Sequence, residues 1–142
     1  GGSSMPVLPA DVIMQTNMDY ESIMSAGSML GSGGVIVMDE TTDMVKVMAR
    51  LSKFYMHESC GQCTPCREGS GWVYRLVTKI LSGKGTLRDL EEFERIAKNI
   101  EGRTICVFGE AIAWPVAGML RHFRDEFVHY VEHGCSLVKA DD

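Results

Sequence analysis

The chain has 142 residues, of which 45% are hydrophobic and 23% are charged, and its formal net charge is −5 at pH 7. These values are ordinary for a globular domain and allow one core, or one domain with a fragment of another. The negative charge, with no basic stripe to offset it, excludes nucleic acid as an expected partner. No apolar run approaches the roughly 20 residues of a membrane-spanning helix, so direct membrane insertion is not expected either.

Residues 1–40 are rich in Gly, Ser, Met and Pro and carry few charges. Residues 19–24 have the pattern of a short helix that ends near Gly27. The apolar run at residues 35–38 follows a glycine-rich stretch and is typical of a buried strand. Since one strand cannot form a sheet, we expect its partner strands to be missing from this chain or to belong to another chain.

Residues 41–142 predict four amphipathic helices joined by short connections, which is the pattern of a small bundle. The first helix is expected to begin at an N-cap among residues 41–43 and to end near Glu58. The second follows a cysteine-rich loop, and the third opens with a capping box at residues 86–89. Pro115 suits the first turn of the fourth helix. The predicted fold class is therefore mainly α, a four-helix bundle.

Apolar residues recur at helical spacing and define the predicted buried side of each helix. In chain order these residues are Met44, Met48, Leu51 and Tyr55; Trp72, Val73, Leu76, Ile80 and Leu81; Leu87, Leu90, Phe93, Ala97 and Ile100; and Val116, Met119, Leu120, Phe123, Phe127 and Tyr130. We interpret all of these stripes as core packing.

Three cysteines, Cys60, Cys63 and Cys66, are separated by two residues each in one short loop, and Cys106 follows later in the chain. A cubane cluster has iron at separate corners, so consecutive cysteines can each reach a different metal atom. Three ligands in a loop and one remote ligand therefore favour an isolated [4Fe–4S] cluster. A single zinc ion usually draws on separated Cys-x₂-Cys pairs; it remains the alternative, together with disulfides or inert thiols.

Other polar residues give weaker signals. Cys135 lies beyond the predicted fourth helix without a neighbouring cysteine, and we interpret it as a non-ligand. Arg67 and Arg103 lie close to predicted ligands in sequence, where positive charge would stabilise a reduced cluster and raise its potential. His129 and His133 are four residues apart and are interpreted as part of a solvated helix face. No nucleophile–base pair is apparent, so no catalytic residue is predicted.

Residues 58–69, with the sequence ESCGQCTPCREG, closely resemble the NADH- and flavin-binding subunit of NADH:quinone oxidoreductase, respiratory complex I. The likeness continues through residues 100–106, 113–116 and 121–124, and residues 35–39 also fit. It covers essentially the whole chain and corresponds to the C-terminal part of that subunit. The cysteine motif is highly specific when it is joined to these later segments.

The resemblance implies that a [4Fe–4S] cluster is bound by four cysteines, namely Cys60, Cys63, Cys66 and Cys106. It also implies that residues 41–142 form a helical iron–sulfur-binding domain. Residues 1–40 would be the C-terminal tail of a β-grasp-like (SLBB-type) domain, which accounts for the unpaired strand.

In this family the FMN and NADH sites lie in an N-terminal domain, whose glycine-rich loops are absent from this chain. The resemblance thus implies a C-terminal fragment or one product of a split subunit, which passes single electrons from NADH-reduced FMN to the next iron–sulfur subunit. Implied partners are the other peripheral-arm subunits, including a flavin- and NADH-binding chain or domain. The implied location is the cytoplasmic face of the bacterial inner membrane, or the mitochondrial matrix side. The chain would belong to a membrane-bound complex, and the enzymatic activity would be that of the whole complex.

Other assignments stay open. Soluble NAD-reducing hydrogenases and NAD-dependent formate dehydrogenases have similar flavin subunits, and the cluster motif does not separate these assemblies. From a different class, the same four cysteines suit a zinc-stapled structural or interaction module. A third alternative is an assembly surface that has lost its cluster.

Overall fold

The computed structural model describes residues 2–138, which form seven helices. In chain order these are α1 at Ala10–Ile13, α2 at Tyr20–Ser25, α3 at Met44–Glu58, α4 at Thr64–Leu81, α5 at Leu87–Ile100, α6 at Phe108–His122 and α7 at Arg124–His133. No strand occurs among these described residues. Their helices are also all too short or too polar to cross a membrane.

Helices α3 to α6 form a four-helix bundle around one core. Each packs against the next, α6 returns against α3, and α7 contacts all four. The largest fully buried side chains are those of Tyr55, Phe93, Phe127, Met48, Ile80, Leu90, Ile100, Ile112 and Met119. The prediction of a mainly α protein is confirmed, with five helices in place of four after residue 43 in the described chain.

The fourth predicted helix is in fact two helices, and Pro115 lies inside the first of them. Helix α6 begins at Phe108, so the prediction that Pro115 occupies a first turn is wrong. Buried residues upstream, including Ile112, extend the packed face, and this packing outweighs the backbone hydrogen bond that proline cannot donate. The chain leaves helical geometry at Phe123, where φ is −129° and ψ is 23°, and α7 begins at the next residue.

The predicted strand at residues 35–38 is absent. These residues are irregular, and Val35, Ile36 and Val37 expose 59%, 55% and 87% of their surface. A strand needs a neighbour whose backbone groups pair with its own, and the described residues supply none here. The prediction of a buried strand is therefore wrong for the chain as described.

Helix starts follow the capping signals in the sequence. Asp43 accepts hydrogen bonds from two backbone N–H groups at the start of α3. Thr86 and Asp89 form the expected reciprocal capping box at the start of α5. Asp19 accepts a hydrogen bond from the Ser22 N–H at the start of α2, so the predicted short helix is confirmed. These boundaries could be predicted because capping depends only on residues within one turn.

Two residues assigned to buried faces are about half exposed. Trp72 and Leu87 expose 48% and 53% of their surface. Helix α4 faces the core with Val73, Val77 and Ile80, so Trp72 lies to the side of this stripe. Leu87 is the first residue of α5, and the buried residues of this helix begin one turn later at Leu90.

The start of the chain runs across the bundle and is fixed to it. The Ser4 hydroxyl lies 2.8 Å from the phenol oxygen of Tyr55. Val7 packs against the core, and its backbone passes so close to Gly118 that a Cβ there would lie 2.8 Å from the Val7 nitrogen. The first residues are thus packed on the helical body, and the predicted domain boundary after residue 40 stays a prediction.

A polar cluster ties α7 to the start of α3. Tyr130 donates its hydroxyl to Asp43 Oδ2 at 2.6 Å, and Glu126 Oε2 accepts from the Met44 N–H at 2.9 Å. Burial alone would raise the pKa of Asp43, but hydrogen bonds from Tyr130 and the Lys46 backbone outweigh it, so this pKa lies below its ordinary value. Burial raises the pKa of Glu126, and it raises that of Tyr130 to about 12.

Replacing Asp43 tests this cluster. Asp43→Ala removes the N-cap of α3 and leaves the buried Tyr130 hydroxyl without its acceptor, so we expect a loss of about 2–4 kcal/mol. Asp19→Ala is the matched control, because it removes the same kind of cap from α2, which buries no residue. The measurement is the thermal unfolding midpoint of each variant. Equal decreases in the two variants would contradict a stabilising role for the polar cluster between α7 and α3.

Glu126 predicts a pH dependence of stability. Its pKa in the folded protein is raised above the ordinary 4.5. Its contribution to the free energy of unfolding is therefore fully present below pH 4.5 and is lost as the pH rises through the raised pKa. Glu126→Gln keeps an acceptor for the Met44 N–H and removes the charge that faces Asp43. We expect its unfolding midpoint to exceed that of the wild type at pH 7 and the difference to vanish near pH 4. Glu132→Gln, an exposed change on the same helix, should lack this trend.

Candidate metal centre

The four predicted ligands lie on two segments at one end of the α4–α5 pair. Cys60 lies in the loop after α3, Cys63 is the N-cap of α4, and Cys66 is the third residue of α4. Cys106 lies in the connector between α5 and α6. Cys66 is buried, Cys63 is half-buried and the other two are exposed, and all four are free thiols.

Helix α4 begins inside the cysteine motif rather than after it. Thr64 is its first residue, Pro65 provides the fixed φ that suits a first turn, and the Arg67 N–H donates to the Cys63 carbonyl at 2.8 Å. Cys66 is therefore in the first turn, where free backbone N–H groups and the positive end of the helix dipole favour negative charge. The local sequence thus builds an anion-favouring position into the motif itself.

Arg67 closes the cysteine loop. Its Nη1 donates to the Gly61 carbonyl at 2.9 Å, and its Nε donates to Glu68 at 3.0 Å. Gly61 has φ +79°, a conformation that other residues rarely adopt, which explains glycine between the first two ligands. Arg67 therefore holds the turn between Cys60 and Cys63 by a backbone contact.

The connector that carries Cys106 is braced against both helices that it joins. Trp114 donates to Glu101 at 2.8 Å, and the Gly102 N–H donates to Glu110 at 3.0 Å. Next to the ligand, the Thr104 hydroxyl donates to the carbonyl of Cys106 at 2.7 Å. These bonds fix the connector without using the sulfur atom of Cys106.

The two cysteine segments meet because α4 and α5 approach closely at Gly69. A Cβ at this position would lie 2.7 Å from Ile100 Cδ1, so any larger residue would force the buried Ile100 side chain to shift. Gly69 follows Cys66 by one turn, and Ile100 is the last residue of α5. The same approach lets the Ile105 N–H donate to Cys63 Sγ at 3.4 Å, which joins the loop directly to the connector.

The electrostatics of Cys66 reflect the other three thiols. Burial raises the pKa of the Cys66 thiol, and the nearby Cys106, Cys60 and Cys63 raise it further, against a hydrogen bond with Ser59. Ser59 Oγ lies 3.1 Å from Cys66 Sγ. The other three thiols therefore lie close enough to Cys66 to affect its pKa.

This donor set fits an iron–sulfur cluster. Four sulfur donors of one kind lie on two segments that the Ile105–Cys63 hydrogen bond joins, beside a helix N-terminus that favours negative charge. In the described part of the chain, no three His, Cys, Asp or Glu side chains are grouped as ligands of a single metal ion.

Sequence reasoning missed two residues that contact the ligand sulfurs. Ser59 was not identified, although a hydroxyl residue directly before a ligand is a signal that could have found it. Ile105 was also missed, because its contact uses only the backbone N–H. Arg103 was predicted to lie near the ligands, but its guanidinium donates to the Lys98 carbonyl near the end of α5.

Cys135 lies on α7's C-terminal side and has a different neighbour. Its Sγ is 3.8 Å from His129 Nε2, and the imidazole rings of His129 and His133 have centroids 4.4 Å apart. Cys135 is exposed. Its assignment as a non-ligand stays a prediction.

Comparison with known proteins identifies the family. Residues 46–130 match the NADH-ubiquinone oxidoreductase-F iron-sulfur binding region. This match spans more than half of the chain, and the protein belongs to that family. The resemblance noted from the cysteine motif is thereby confirmed.

Curated relatives and a solved structure agree with this family. The F subunit of NADH-quinone oxidoreductase from Rickettsia felis is 49% identical over 138 residues, which are 97% of this chain and 32% of the relative. The same protein from Rickettsia rickettsii is 54% identical over 126 residues, or 89% and 30% of the two chains. The chain thus spans about a third of the length of these relatives. An NAD⁺-reducing [NiFe]-hydrogenase in the H₂-reduced state superposes with a TM-score of 0.82 at 30% identity, over 92% of this chain and 22% of that one.

A pair of cysteine variants tests the ligand set. Cys106→Ser should lose most of its bound iron or change the spectrum of its metal centre, because oxygen is a poor substitute for a thiolate ligand of iron. Cys135→Ala should retain the iron content of the wild type. Iron and acid-labile sulfide are measured per chain after anaerobic purification. Loss of iron from Cys135→Ala would overturn the assignment.

Proposed function

We propose that this protein carries single electrons through a [4Fe–4S] cluster bound by Cys60, Cys63, Cys66 and Cys106, as part of an NADH-oxidising complex. The strongest support is that the chain belongs to an iron–sulfur-binding family, and the Ile105–Cys63 hydrogen bond between its two cysteine segments agrees with this ligand set. When bound, the cluster supplies one-electron oxidation and reduction.

The residues of the chain supply the environment for that chemistry. The first turn of α4 favours the negative charge of the thiolates, and the Ile105 N–H donates to Cys63. Arg67 holds the loop that contains Cys60 and Cys63. Cys60 and Cys106 are exposed, which leaves one side of the centre accessible to a redox partner.

The assembly that we favour is NADH:quinone oxidoreductase, since the relatives that match most of the chain carry the name of its F subunit. In this proposal, FMN reduced by NADH lies on another region of the same subunit or on a separate chain. Electrons then pass to the next iron–sulfur subunit in the peripheral arm. The complex would lie at the cytoplasmic face of the bacterial inner membrane or on the mitochondrial matrix side.

A soluble NAD-reducing hydrogenase is the second candidate assembly, and one observation supports it. The hydrogenase chain superposes on nearly all of the described helical body. The module would transfer electrons in the same way in either assembly, and only the partners would differ. The chains that co-purify with the protein decide between them, because a hydrogenase brings a nickel–iron subunit and complex I brings quinone-linked membrane subunits.

Metal analysis tests the electron-carrier proposal. Protein purified without oxygen should contain about four iron and four acid-labile sulfide per chain. Reduction should produce an EPR signal from one half-integer-spin cluster. Stoichiometric zinc without labile sulfide would support the structural module in its place, and no bound metal would support the assembly surface.

A further inference from the structure

Ser59 lies at the junction between the bundle and the metal centre. It is the C-cap of α3 and directly precedes Cys60, and its backbone N–H donates to the Tyr55 carbonyl at 3.1 Å. These backbone contacts fix its position independently of its side chain. The hydroxyl is therefore not needed to hold Ser59 in place and is available for a hydrogen bond to the metal centre.

The Ser59 side chain is aimed at the most buried of the four ligands. Its Oγ lies 3.1 Å from Cys66 Sγ, and Cys66 is only 6% exposed. A buried sulfur has little access to water, so this hydroxyl is not readily replaced by solvent. The contact is thus a fixed part of the site.

The direction of this hydrogen bond follows from the chemistry of the ligand. A cysteine that binds iron does so as a thiolate and has no proton to give, so only the Ser59 hydroxyl can donate. The Gly61 N–H is directed at the same Oγ at 3.4 Å. Gly61, Ser59 and Cys66 therefore form a short chain in which each donor polarises the next one towards the sulfur.

We propose that Ser59 tunes the metal centre by donating a hydrogen bond to Cys66, which stabilises the reduced cluster and raises its reduction potential. This inference rests on the proposed function. Reduction adds negative charge to the cluster and its thiolates, and a hydrogen bond to a ligand sulfur is stronger when that sulfur is more negative. Removing the bond therefore disfavours the reduced state more than the oxidised one.

Ser59 is the one side chain through which this effect can be tested by substitution. Among the described residues, the other hydrogen bond to a predicted ligand sulfur comes from the Ile105 backbone, which substitution does not remove. The Arg67 guanidinium donates hydrogen bonds to the Gly61 carbonyl and to the Glu68 carboxylate, and neither of these bonds is to a sulfur atom.

The test compares three variants of the cluster-loaded protein. Ser59→Ala removes the hydroxyl, and Ser59→Thr keeps it. Ser82→Ala is the matched control, because Ser82 is the C-cap of α4 and its hydroxyl donates only to the Lys79 carbonyl. Iron and labile sulfide are measured first, and the potential is then determined by an EPR-monitored redox titration.

We expect Ser59→Ala to titrate at a lower potential than the wild type, with Ser59→Thr and Ser82→Ala close to the wild type. A fully loaded Ser59→Ala with an unchanged potential would overturn the role of Ser59 while leaving the proposed function intact. Wild-type protein without labile sulfide would instead overturn the proposed function.

A second measurement applies if Ser59→Ala fails to retain its cluster. The reduced wild-type protein is transferred briefly to D₂O and studied by electron–nuclear double resonance. A strongly coupled exchangeable deuteron whose coupling changes in Ser59→Thr supports the hydroxyl donor, since the exposed Ile105 N–H also exchanges but is not altered by that substitution. Coupling to slowly exchanging protons alone would refute it.

Discussion

The close approach of α4 to α5 at Gly69 is the constraint on which the metal centre depends. A Cβ at this position would overlap the buried Ile100 side chain, so any larger residue would force Ile100 to shift where the two helices meet. The contact lies one turn from Cys66 and directly before the connector with Cys106. Helix packing thus sets the separation of two cysteine segments that are distant in sequence. Ligands anchored to packed helices are held more accurately than ligands on free loops.

Hydrogen bonds and the N-terminus of α4 stabilise negative charge at this centre more directly than the nearby arginine side chains do. The two arginines nearest the ligands in sequence donate to carbonyl groups, Arg67 at Gly61 and Arg103 at Lys98. The sulfurs instead receive neutral donors, a hydroxyl at Cys66 and an N–H at Cys63. A neutral donor supports a thiolate without attracting a competing carboxylate, which suits a protein whose net charge is negative.

The sequence predicts features that depend on neighbouring residues and fails where distant contacts decide. Thr86 was predicted as a helix start, and Asp43 was among three candidate N-caps, because a cap acts within one turn. Pro115 was misplaced, since its first-turn preference is weaker than the packing of the residues before it. Residues 35–38 have the composition of a strand but lack a pairing partner in the described chain. The cysteine spacing indicates a cluster, whereas the donors to its sulfurs arise only when the loop, α4 and the connector meet.

The opening residues of the chain contact the bundle near both cysteine segments through the Tyr55 side chain. Tyr55 bonds to Ser4 and packs edge-on against Phe108, with ring centroids 5.7 Å apart. It stands one turn before Ser59 and contacts a residue that follows Cys106 by two positions. One aromatic ring therefore lies on the helix before the cysteine loop and contacts the first residue of the helix after Cys106. The packing of the first residues on Tyr55 therefore lies one residue contact away from each of the two segments that carry the cysteines.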